Sequence, residues 1–191
     1  MKAFFKENKK TLTGLWLDRF GGAVFAIMLN FALVKVENVF VNLLATAVSV
    51  GFYFYLIYSV LWEKGATDRI SADSGKIAPR PHYGIIIALA ESAPAILLAL
   101  VMTVSSFLVN ICEVSAFSGV LAVSGAFEKI WNIMFQTAFN IFAPTDPSPW
   151  GAFGYSFIYY GAVAFGGLFV WAAYLCGYKG VLTAPAFKVK R

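Results

Sequence analysis

Four long apolar runs, separated by polar stretches of unequal length, set the pattern of this chain. The first, 14–36, keeps Asn30 as its only interior amide, and the link 35–38 is short enough only for a tight hairpin. The second run is therefore 39–61, returning the chain to its starting side. A polar segment, EKGATDRISADSGKIAPRPH, fills 63–82 and reads as a loop. Pro79 and Pro81 oppose any helix extending back into it, whereas Pro81 suits the first turn of a helix over the third run. That third run, 83–109, and the fourth, 153–178, complete the set. At 1.5 Å per residue each is long enough for a hydrocarbon core of about 30 Å. The expected architecture is all-α: a polytopic membrane protein with four transmembrane helices in a single membrane domain.

The segment 114–142 fits this scheme least well. Two apolar blocks, VSAFSGVLAVSGAF and IWNIMFQTAFNIF, flank Glu128–Lys129, and each is too short to cross alone. Glu128, Asn132, Gln136 and Asn140 recur every four residues, a narrow polar stripe on a greasy helix. A helix lying in the outer interface fits that pattern, and so does a re-entrant hairpin buried in protein. The breaker sequence APTDPSPWG closes the segment.

Composition agrees with the pattern: 60% of residues are hydrophobic and 13% charged, far from the roughly 45–50% and 25% of soluble domains. The net charge of +5 comes without a basic helix carrying base-stacking aromatics, which argues against nucleic acid as a partner. Topology explains it better. With four spans, thirteen Lys and Arg fall on one side, in the N-terminal region through Arg19, the 63–82 loop and the tail, against Lys35 and Lys129 on the other. The positive-inside rule then predicts that both termini and the loop are cytoplasmic. The first run lacks a small-residue cleavage site, so it reads as a retained span rather than a signal peptide. A bacterial inner membrane is the expected location, in the absence of a eukaryotic targeting or glycosylation signal in an outward loop.

Against this background few groups are chemically out of place. Glu91 is the carboxylate within the third run, about 12 Å from its start and three residues before Pro94. Pro94 removes the amide that would bond the carbonyl of Ala90, which leaves a polar spot in the helix. An ionised carboxylate there must be protonated, paired or in contact with water. Glu91, Pro94 and Asn30 are thus candidates to line a proton or cation pathway, and the bland alternative is a structural carboxyl bonded to Ser92, Asn30 or another helix. Arg80 and His82 would sit at the cytoplasmic mouth of that helix. Arg80 shares the face of Glu91 but lies some 16 Å away along the axis, too far to touch.

Other features have simpler readings. Tyr53, Tyr55, Tyr58 and Trp62 are placed as an aromatic belt, and Ala162 and Gly166 have the small-xxx-small spacing of close helix packing. His82 has no neighbouring ligand at metal spacing, so no metal is expected. No phosphate loop, metalloprotease or nucleophile-elbow motif occurs, so no cofactor is expected and enzymatic activity is disfavoured without being ruled out. Besides a weaker third, a lipid-modifying enzyme acting at the interface, two functions remain. One is a component of small-solute or ion transport using the intramembrane carboxylate, assembled as a homo-oligomer or with a membrane partner because four helices are too few to surround a wide pore. The other is a non-transporting accessory or scaffold subunit, in which Glu91 is structural.

Overall fold

The computed structural model describes residues 2–33, 35–36, 38–135, 139 and 148–181. Among them there are helices and turns and no strand. Four helical segments, Phe4–Ala32, Val39–Asp73, Tyr83–Asn110 and Pro149–Lys179, are long and apolar enough to cross a membrane. This is a membrane protein of all-helical architecture.

Helix α1 runs Lys2–Ala32, α2 Val39–Asp73 and α3 Tyr83–Asn110. A 3-10 turn at Ser115–Phe117 leads into α4, Ser118–Trp131, and α5, Pro149–Tyr155, precedes α6, Ile158–Lys179. Ser148 caps α5, its hydroxyl oxygen accepting from the Gly151 amide at 3.1 Å, with Pro149 in the first turn. The breaker sequence therefore starts a helix at its C-terminal end.

Two helices are longer than the apolar runs suggest. The 31 residues of α1 and the 35 of α2 span about 46 and 52 Å, more than a hydrocarbon core requires. The extra turns of α1 carry Lys6, Lys9 and Lys10. Those of α2 carry Glu63 to Asp73, so much of the expected 63–82 loop is helical. That extension is held by i,i+4 ion pairs, Lys64 Nζ to Asp68 Oδ1 at 2.8 Å and Arg69 Nε to Asp73 Oδ2 at 3.6 Å. It ends where Gly75 takes a left-handed φ of 72° and the Lys76 amide bonds back to the Ser71 carbonyl at 3.0 Å.

The chain divides into two compact units. The first comprises Met1–Arg19, Phe52–Glu91 and Gly166–Arg191, and the second Phe20–Gly51 and Ser92–Phe165.

In the first unit α2 and α6 touch backbone to backbone. A Cβ placed on Gly177 would overlap the Trp62 carbonyl group, and one on Gly65 would overlap the Tyr174 carbonyl oxygen. Only glycine permits that approach. Beside it, a Cβ on Gly84 of α3 would meet the Tyr174 side chain at 2.8 Å, and Phe54 stacks on Phe169 with ring centroids 4.0 Å apart. In α6 the close contact is thus made by Gly177, whereas a Cβ on Gly161 or Gly166 meets nothing within 4 Å.

In the second unit α3 turns a small-residue face inward, with Ala95, Ala99, Ser105 and Ser106 buried. Helix α4 is built inside out relative to a water-soluble helix. Ser124 and Glu128 are buried, followed by Asn132, while Phe117, Val120, Val123, Phe127 and Ile130 point outward. The described part of its polar stripe, Glu128 and Asn132, is buried, and Glu128–Lys129, expected to separate two blocks, lies within one helix. Gln136 and Asn140 of the expected stripe lie outside the described residues.

Candidate functional site

The site forms in the first unit where α1 and α3 approach each other. On α3, Gly84, Ile87, Ala88 and Glu91 are buried, a 3–4 spacing that puts them on one side of the helix. Glu91 is 1% exposed. Its Oε1 accepts from Arg19 Nη1 of α1 at 2.9 Å, and the Arg19 side chain is 4% exposed. The Trp16 indole, three residues before Arg19, donates to the Glu91 carbonyl at 3.1 Å. The guanidinium also lies 5.9 Å from the centroid of the Tyr53 ring, which adds a cation–π attraction. Asp18 is buried beside them.

An ion pair this deep follows from energetics. Neither charge is tolerable alone in an apolar interior, and their mutual attraction offsets desolvation only when geometry is good and remaining polar atoms are bonded. The pair consequently joins α1 and α3 at one register, with Trp16 fixing the same contact through the backbone of α3. The carboxylate meets a fixed cation of its own chain. Two shallow grooves lie along α1 around Lys6, Lys9 and Thr13, and neither is lined by Glu91.

A second polar cluster closes one end of the same unit. Arg80 pairs with Glu7 of α1 and lies 3.4 Å from Asp68 of α2, with its guanidinium carbon 4.1 Å from the centroid of the Tyr83 ring. Tyr174 of α6 donates its hydroxyl to Asp68 Oδ2 at 2.9 Å and sits 3.3 Å from the Arg80 carbonyl. Asn8 of α1 donates to the Tyr83 hydroxyl at 2.7 Å. Partial burial lowers the Arg80 pKa, but the Glu7 hydrogen bond and the Asp68 and Glu7 charges outweigh it and hold the group above its ordinary value. Arg80 is a permanent cation that connects the segment before α3 to α1 and α2.

The other candidate residues each have their own surroundings. Pro94 follows Glu91 by three residues inside an unbroken α3. Asn30 belongs to the second unit, is exposed, and donates to the Ala26 carbonyl of its own helix at 2.8 Å. Arg80 joins Glu7 and Asp68, and His82 is exposed with its ring 6.5 Å from that of Trp171. Tyr53, expected in an aromatic belt, is instead 1% exposed beside Arg19. Among the described residues no three His, Cys, Asp or Glu side chains converge as a metal site, and Cys112 and Cys176 are free thiols.

No family model matches the chain, and no curated protein or solved structure matches it.

The decisive residue that the sequence pattern does not single out is Arg19. Its charge counts equally well toward the cytoplasmic cations, and the one available signal is its position as an arginine inside the apolar run 14–36. A second buried glutamate, Glu128, accepts from Asn132 Nδ2 at 2.6 Å within the second unit. Its sequence signal is the i,i+4 polar stripe.

Proposed function

We propose that this chain is a non-transporting accessory or scaffold subunit of a membrane complex, with its buried charges serving to hold the helices in register. The observation that carries this reading is the Arg19–Glu91 bridge: the carboxylate that would bind a proton or cation is already neutralised by a neighbouring helix at 2.9 Å. The clamp from Arg80 to Glu7 and Asp68 supports it, since it stabilises one end of the same helices. In this reading both termini face the cytoplasm of a bacterial inner membrane, as the distribution of lysine and arginine argues. The partner is another membrane subunit or a second copy of the chain.

Transport remains the second reading, favoured by the rule that ionisable groups inside membrane helices mark conduction or proton-relay routes. Here the bridge would open to pass a solute or ion. Proteoliposomes separate the two. The purified protein is expected to give no proton- or cation-coupled flux, and the exchanged pair R19E/E91R to recover the folded, monodisperse state that E91Q loses. Flux from the purified protein that disappears in a still-folded E91Q variant would overturn the scaffold reading.

A further inference from the structure

We infer that the outer face of α1 between Lys6 and Leu17 is a binding site for an anionic phospholipid, with Lys6, Lys9 and Lys10 holding the phosphate and Leu17 supporting an acyl chain. Three observations on this one helix lead there. The first is its layout. Lys6 and Lys10 are one turn apart with Lys9 beside them, and all three are exposed. Thr13, a hydroxyl donor, follows on the same face, and Leu17, 63% exposed, lies about 10 Å beyond Lys10 along the axis. Cation, hydroxyl and apolar side chain thus succeed each other in the order of phosphate, glycerol ester and hydrocarbon.

The second is shape. Two shallow grooves run along this face on either side of the Lys6–Thr13 ridge, one walled by Phe5, Leu12 and Trp16, the other by Gly14, Leu17 and the Arg80-bound Glu7. A water-soluble anion would leave the exposed Phe5 and Leu17 uncovered, whereas a lipid covers them with its chains. The third is charge. Arg19, Lys64, Arg69 and Arg80 of the same unit are each bound to a carboxylate. Among the described residues Lys6, Lys9 and Lys10 form no such pair, so their charge is available to a ligand. Each lysine near a membrane surface adds about 1 kcal/mol of attraction to anionic lipid, and here three act on one headgroup.

The test is native mass spectrometry of the full-length protein in detergent, titrated with phosphatidylglycerol and with phosphatidylcholine of the same chains. Phosphatidylglycerol is expected to bind at least tenfold more tightly. K6Q/K9Q/K10Q should lose affinity roughly fivefold for each lysine removed, K6R/K9R/K10R should retain it, and K129Q should not change it. Thermal unfolding of each variant checks that these exposed substitutions leave the fold intact. The proposal is overturned if the two lipids bind alike, or if the preference survives K6Q/K9Q/K10Q. It is also overturned if equimolar inorganic phosphate displaces phosphatidylglycerol, which would mark a site for a free anion.

Discussion

Glu91 and Glu128 are both buried, and the partners described for them lie at very different distances along the chain. Glu91 in the first unit takes a cation from 72 residues away on another helix, so satisfying its charge also joins two helices. Glu128 in the second unit bonds Asn132, four residues on, within its own stretch of chain. A long-range partner makes a side chain part of the tertiary structure. A partner one turn away lets the segment carry its own polar group into an apolar setting.

The largest effect should come from separating the long-range pair. E91Q or R19Q leaves one charge buried in apolar surroundings and should lower stability by about 3–5 kcal/mol, measured as unfolding in mixed micelles. R19E/E91R should recover much of that loss, and equal loss in the exchanged protein would mean that geometry, not charge pairing, sets the cost. The next largest effect should be G177A, because the added Cβ overlaps backbone atoms of α2 that cannot rotate away. About 3 kcal/mol is expected, in the upper range for overpacking. E128Q keeps the shape and a hydrogen-bonding partner for Asn132, so about 1–2 kcal/mol should be lost. An E128Q loss matching that of E91Q would erase the contrast between the two glutamates. The smallest change belongs to G161A, where nothing lies within 4 Å of the new methyl group. Its unfolding should be unchanged or slightly improved, by up to about 1 kcal/mol, through helix propensity.

The existence of the four long helices was legible in the sequence because length and apolarity are local quantities. Their ends were less so. Lys6, Lys9 and Lys10 lower the local hydropathy of α1 without breaking its helix, and 63–73 looks like a loop because it is polar. The spacings Lys64–Asp68 and Arg69–Asp73 are the helical signal in that stretch. Glu91 is conspicuous for the same local reason, as a carboxylate in an apolar run. Its partner is not, since nothing in a linear pattern links Arg19 to a residue two helices away. The inward turn of Glu128 and Asn132 is hidden too: a polar stripe has the same period whether it faces water or the interior.

The bridge between α1 and α3 also bears on how the protein is made. Ribosomes deliver the amino end first, so Arg19 reaches the bilayer well before Glu91 has been synthesised. Until α3 has been made, the bridge between Arg19 and Glu91 cannot form. A chain stopped before residue 91 therefore lacks both contacts that fix α1 against this part of α3, the Arg19 bridge and the Trp16 hydrogen bond.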